Sequence, residues 1–211
     1  MDSGATTIER AMRYASLIPF LLTLGCGSVD DPRSKFSGLD QLLANEYVQQ
    51  AIAKLPAGTD VAAGAYYKGT TPADISGTWT TDCSGCSVGK WPAGNNFGGT
   101  ITFESNGPGK IDVPEVTGNL SSGDGNGSFI TGTGNNVTAF LQLNLTCKAD
   151  SERYRFVAVD RFVYSAGALN NYVRSYVVIA RDNMDGPWTH CATDGLPGNG
   201  SVSTASVWGP K

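Results

Sequence analysis

The feature that most constrains this fold is an alternation of side-chain character with a period of two, which begins near Asp74. It is clearest in residues 136–146 and 153–164. Successive side chains of a β-strand point to opposite faces, so alternation of this length predicts long strands with one face on a core. Residues 172–181 are expected to pair with residues 153–164 as a long hairpin, with its turn at Asn170-Asn171.

Shorter segments of the same region also have the pattern of strands. The candidates are residues 75–81, 99–104, 110–113, 115–120, 128–132 and 201–208, and residues 121–127 are predicted to be a turn cluster. Charged residues make up only 16% of the chain and glycine 27 of 211 residues, which is typical of short strands with tight turns. The sequence therefore predicts a mostly β fold of seven to nine antiparallel strands, as a single β-barrel or β-sandwich.

The N-terminus carries the pattern of an export signal. Arg10 and Arg13 precede an apolar stretch at residues 14–24, which is too short to span a bilayer and ends in Leu22-Thr23-Leu24-Gly25-Cys26. This ending resembles the lipobox of bacterial lipoproteins, in which the cysteine is acylated and becomes the first residue of the mature protein. The resemblance implies a signal peptide at residues 1–25, lipidation at Cys26 and a membrane anchor made of lipid.

Two further expectations concern location. Gly27 after the cysteine resembles the sorting pattern of outer-membrane lipoproteins in some Gram-negative bacteria, so we expect a lipid-anchored protein of the bacterial envelope, at the outer membrane. If Cys26 is not lipidated, the signal is an ordinary cleaved one and the protein is secreted in soluble form.

The rest of the chain divides into four parts. Residues 26–36 form a polar tether, and apolar residues at helical spacing predict one amphipathic helix over residues 37–56. Residues 57–73 are a linker of small residues, and residues 74–211 form the β domain. On residues 136–146, Phe140 is the one apolar side chain on an otherwise polar face.

Charge and cysteine content exclude some classes and favour others. A net charge of -4 and an isoelectric point near 4.9 provide no basic surface for nucleic acid. Four further cysteines in an exported chain predict two disulfides, whose pairing the spacing leaves open. These cysteines are Cys83, Cys86, Cys147 and Cys191. Redox activity or zinc binding at the close pair of Cys83 and Cys86 is the alternative, although neither the context nor the spacing favours it.

Gly77-Thr78-Trp79 resembles the Gly-x-Trp signature of the lipocalins, which are small eight-stranded barrels that hold an apolar ligand. The resemblance extends over residues 74–208 and implies that Trp79 closes the base of a barrel. It also implies an arginine over the indole, a position that Arg174 or Arg181 would fill. The second signature of the family, a Thr-Asp-Tyr-like turn, is missing from this sequence.

Asp160 lies in the middle of an aromatic strand face, where an unpaired carboxylate would be costly. Arg174 has a matching position on the next strand, so we expect the two to pair across the hairpin. If this face lines a cavity, the pair would orient a ligand against aromatic walls. The candidate ligand-binding residues are Asp160, Arg174, Tyr154, Phe156, Phe162 and Tyr176. The alternative is a purely structural ion pair.

No catalytic residue, metal site or cofactor is predicted. His190 is the only histidine, and no nucleophile motif accompanies it. The first hypothesis is a lipid-anchored envelope protein whose β domain binds a small apolar or amphipathic ligand or an envelope partner. The second is a structural lipoprotein with a filled core and no ligand cavity. An exported hydrolase is the third, and it lacks a recognisable nucleophile or acid pair.

Overall fold

The computed structural model describes residues 35–81, 99–118, 121–182, 201–204 and 207–210. Within these ranges, two helices precede eleven strands. The helices are α1 (Leu39–Ala44) and α2 (Glu46–Ala53). The strands are β1 (Thr70–Pro72), β2 (Gly77–Thr81), β3 (Gly99–Ser105), β4 (Lys110–Gly118), β5 (Ser121–Asp124), β6 (Ser128–Gly134), β7 (Asn136–Cys147), β8 (Arg153–Ser165), β9 (Ala168–Arg181), β10 (Ser201–Thr204) and β11 (Val207–Pro210).

Strand pairing closes the sheet into an antiparallel barrel. Around the barrel, β2, β3 and β4 are followed by β6, β7, β8 and β9, and β11 pairs with both β9 and β2. Because β5 and β6 both lie between β4 and β7, the shortest closed ring contains only β4, β5, β7 and β6. β5 and β6 keep one continuous register along β4, so they act as a single strand interrupted at residues 125–127. The predicted mostly β fold is therefore confirmed, and of the two predicted architectures it is the barrel.

Two predictions about turns are wrong. The β8–β9 hairpin turns at Ala166-Gly167, where both residues have positive φ, 52° and 73°. This backbone conformation matches the twist of tight hairpins. Asn170 and Asn171 lie inside β9, and Asn171 uses its positive φ of 52° where the register between β8 and β9 shifts. The glycine-rich segment at residues 121–127 contains β5, because Gly123 lets the backbone of β7 approach closely.

The interior of the barrel contains the main hydrophobic core. Large side chains such as Ile101, Phe103, Leu141 and Phe162 are at most 1% exposed there. Trp79 points into the same core and is 4% exposed. This burial follows the alternation of the sequence, because alternate residues of β3, β7 and β8 face inward.

A second core lies outside the barrel, where α2 packs on β8 and β9. Phe140, the exception on its polar face, belongs to this core and meets the ring of Tyr66 edge-on at 5.1 Å. The single predicted helix is two helices, because Asn45 ends α1 and caps α2 by accepting hydrogen bonds from the backbone N–H groups of Tyr47 and Val48. Within the described ranges, neither helix has the length and apolar character needed to cross a membrane.

Two buried polar side chains fix the N-terminal segment to the barrel wall. Gln142 accepts a hydrogen bond from the backbone N–H of Phe36 at 2.6 Å and donates one to its carbonyl at 3.0 Å. Arg161 donates to the carbonyl oxygens of Pro56 and Ala65. These contacts hold both ends of the helical segment against the sheet.

Candidate functional site

The six side chains predicted to bind a ligand lie on the inward faces of β8 and β9. All but Arg174 and Tyr176 are less than 9% exposed. The register places Asp160 directly opposite Arg174, and Ala158 opposite Tyr176. The structure thus brings the predicted residues together on one wall of the barrel.

Asp160 and Arg174 form a two-point ion pair inside the barrel. Arg174 donates from Nε to Oδ1 and from Nη2 to Oδ2 of Asp160, both at 2.7 Å. The hydroxyl of Tyr172 donates to the same Oδ2 at 2.5 Å. Two parallel N–H···O bonds between guanidinium and carboxylate are the strongest arrangement for such a pair. The sequence predicted the pair but missed Tyr172, whose inward position two residues before Arg174 was the available signal.

The electrostatics of the cluster follow from its burial. Burial lowers the pKa of Arg174, but the charge and hydrogen bonds of Asp160 together with Tyr172 more than offset this, and the pKa is raised above its usual value. Burial also raises the pKa of Tyr172 well above its ordinary value of 10.0, so its hydroxyl stays protonated and keeps donating to Asp160. The cluster therefore holds one positive and one negative charge side by side.

Aromatic rings continue from the ion pair in both directions along this wall. Tyr154 and Phe156 stack with their centroids 5.9 Å apart, and the ring of Tyr176 lies 5.4 Å from that of Phe156. On the other side of the pair, Phe162 stacks on Tyr172 at 5.8 Å. The pair is consequently the polar centre of an apolar, mostly aromatic surface.

Solvent reaches part of this interior. The Arg174 side chain is 15% exposed, whereas that of its partner Asp160 is fully buried. Val116, Tyr164 and Tyr176 pack on the interior core and are also partly exposed. Strand β10 pairs with β9 from Val173 to Tyr176 and, among the described strands, with no other. Beside Arg174, β10 therefore has only one strand partner in the described part of the chain.

Trp79, from the Gly77-Thr78-Trp79 motif, occupies an interior position on β2. Its indole N–H donates to the carbonyl of Ile75 at 2.9 Å, and its ring meets Tyr164 edge-on at 6.0 Å. The motif implied an arginine over the Trp79 indole. The Arg174 guanidinium instead lies over the ring of Tyr172, 5.9 Å from its centroid. The other candidate, Arg181, forms an ion pair with Glu152.

Several predicted positions fall outside the described residues. These are Cys26, Cys83, Cys86, His190 and Cys191. Cys147 ends β7 and is 2% exposed. Its disulfide pairing stays a prediction, because the other three cysteines of the predicted disulfides lie outside the described residues.

Two clefts lie away from the interior cluster. One of about 340 Å³ runs past Asn144, Arg153 and Arg155 and is also lined by Tyr154, one of the six predicted ligand-binding residues. The other, of about 380 Å³, lies between β1 and the β3–β4 hairpin and includes Thr70 and Lys110. Neither cleft is lined by Asp160 or Arg174.

The described residues include no group of three or more His, Cys, Asp or Glu side chains that would hold a metal ion. Comparison with known proteins shows no relative, since no family model, no curated protein and no solved structure matches this chain. The lipocalin resemblance therefore rests on Gly77 and Trp79 alone, and the function has to be argued from the geometry.

Proposed function

We propose that this protein binds a small amphipathic molecule inside its barrel. The observation that carries the proposal is the partial exposure of Arg174, because solvent reaches a charged side chain that lies among inward-facing aromatic side chains. Ligand sites in barrels are commonly apolar surfaces with a few fixed polar groups that orient the ligand. Arg174, held by Asp160, is such a group.

The geometry supports a specific orientation of the ligand. The polar end would hydrogen-bond to Arg174, and the apolar body would lie along Tyr176 and Phe156 on one side of it. Val116 on β4 also packs on the interior core and is partly exposed, so it is available to the same ligand. Contact with these side chains would remove apolar surface from water, which contributes about 25 cal/mol per Å².

The cellular setting that we propose is the bacterial envelope, with a lipid anchor on Cys26 and structural disulfides among the four other cysteines. Support comes from the export signal at residues 1–25. Metabolic labelling with palmitate tests the anchor: wild-type protein should be labelled, and Cys26→Ser should abolish the label. A labelled Cys26→Ser variant would exclude the anchor at this residue, and free thiols at Cys83 and Cys86 in exported protein would exclude the disulfides.

One observation favours the alternative of a structural lipoprotein without a ligand. The Asp160 carboxylate already accepts three hydrogen bonds within the protein, and much of the interior around Phe162 is closed to solvent. Under this alternative, the helices or the surface loops would contact an envelope partner, and the barrel would serve only as a scaffold.

A cavity-filling substitution separates the two functions. Val116→Phe enlarges a side chain at the exposed part of the interior, and Val163→Phe makes the same change at a half-buried position on the outer face. The probe is N-phenyl-1-naphthylamine, a neutral fluorophore that brightens in apolar surroundings.

We expect the full-length wild-type protein and Val163→Phe to bind the probe with similar affinity, and Val116→Phe to bind it at least about tenfold more weakly, a change of about 1.4 kcal/mol. Urea unfolding would confirm that both variants fold. No binding by the wild type, or equal binding by Val116→Phe, would contradict the ligand-binding function.

A further inference from the structure

We infer that the ligand of this interior site is electrically neutral at its polar end, an alcohol, ester, ketone or amide rather than a carboxylate. The inference rests on the proposed function and adds the chemical class of the ligand. It follows from the charges and hydrogen bonds of three side chains, Asp160, Tyr172 and Arg174.

The charge of Arg174 is already balanced within the protein. Its guanidinium contacts the Asp160 carboxylate through two hydrogen bonds of 2.7 Å, and Tyr172 adds a neutral donor to the same carboxylate. The cluster has a net charge of zero before any ligand enters. An arginine that neutralises a ligand carboxylate needs a positive charge that no carboxylate of the protein already balances.

The cluster nevertheless offers a hydrogen-bond donor. The bonds that Arg174 makes to Asp160 use Nε and Nη2, so Nη1 takes no part in the ion pair. Solvent reaches the Arg174 side chain but not that of Asp160. A ligand in the interior therefore meets N–H groups and not the carboxylate, so its matching group is an oxygen acceptor.

A second carboxylate on this guanidinium would be unfavourable. It would share Arg174 with Asp160, and the three groups together would carry a net negative charge among aromatic rings. The apolar surroundings strengthen the repulsion between like charges and provide little solvation for the excess charge. A neutral oxygen gains the hydrogen bond without this cost.

Displacement of N-phenyl-1-naphthylamine from the full-length protein tests the inference with two ligands of equal chain length. At pH 8, dodecanol is neutral and dodecanoate is charged. We expect dodecanol to displace the probe at a concentration lower by about tenfold or more, equivalent to about 1.4 kcal/mol. Equal or stronger displacement by dodecanoate would overturn the inference and leave ligand binding intact. Failure of the wild type to bind the probe or either ligand would overturn both.

Asp160→Asn provides the decisive variant, because it leaves the shape of the side chain almost unchanged and gives Arg174 an unbalanced positive charge. We expect its preference to shift by about tenfold or more toward dodecanoate. Asp182→Asn makes the same substitution at a carboxylate that pairs with Arg153 outside the barrel interior, and it should leave the wild-type preference unchanged. If Asp160→Asn folds and keeps the wild-type preference, or if Asp182→Asn shifts it equally, the charge argument is wrong. The wild-type comparison stands by itself if Asp160→Asn does not fold.

Discussion

Removal of the guanidinium from the interior ion pair should be among the most damaging substitutions in this chain. Arg174→Met keeps a side chain of similar length but leaves Asp160, which is 0% exposed, without the two hydrogen bonds from its positively charged partner. Breaking a buried ion pair on one side costs about 3 to 5 kcal/mol. Because domains of this size are stable by about 5 to 15 kcal/mol, the variant would lose a large fraction of its stability.

The reverse substitution should be milder. Asp160→Asn leaves Arg174 without its carboxylate partner, but solvent reaches the Arg174 side chain and the new amide still accepts one hydrogen bond. We therefore expect the free energy of unfolding to fall by about 1 to 3 kcal/mol. The double variant Arg174→Met with Asp160→Asn removes the stranded charge and should be more stable than Arg174→Met alone.

Urea unfolding of the full-length protein under non-reducing conditions, followed by circular dichroism, measures all four free energies of unfolding. The coupling energy between the two sites should exceed the loss caused by Asp160→Asn alone, and should therefore be at least about 1 kcal/mol. Two results would refute the reasoning: a loss below about 1 kcal/mol for Arg174→Met, or a double variant whose loss equals the sum of the single losses.

Three further predictions follow from local contacts. Asn45→Ala removes the cap of α2 and should lower the free energy of unfolding by about 1 kcal/mol; an unchanged urea midpoint would contradict this role. Gly132→Ala would place a Cβ 2.0 Å from the carbonyl oxygen of Asn136, whereas the Cβ of Gly134→Ala would meet nothing within 4 Å. Gly132→Ala should therefore be far more destabilising than Gly134→Ala, and equal urea midpoints would contradict this. Tyr172 has a raised pKa, so its contribution to stability is complete below about pH 10 and is lost as the pH rises further. Tyr172→Phe should therefore flatten the loss of stability above pH 10, and an identical slope for both proteins would contradict this.

The sequence predicted the barrel well because its strands have long, regular alternation. Inward and outward positions of β7 and β8 could be assigned residue by residue, and the pairing of Asp160 with Arg174 followed from their positions on neighbouring strands. Long-range closure through β11 was not predictable in detail, since it depends on two short contacts with β2 and β9.

The errors have identifiable physical causes. Asparagine favours turns and also favours positive φ in bulges, so Asn170-Asn171 was mistaken for a turn. The real turn at Ala166-Gly167 contains an alanine, which rarely adopts a positive φ. Gln142 belongs to the polar face of residues 136–146, but it is buried because the segment at Phe36 covers it. The sequence alone does not reveal such covering segments.

Native mass spectrometry of the full-length protein, purified from its own host and released gently into the gas phase, would show directly whether the barrel carries a ligand. We expect a complex of one protein with one small molecule, and fragmentation should identify the bound molecule as a neutral amphiphile with an alcohol, ester, ketone or amide group. A bare protein mass, together with no uptake of N-phenyl-1-naphthylamine in solution, would contradict a ligand-binding barrel. A bound carboxylate would instead contradict the neutral polar end inferred from Asp160 and Arg174.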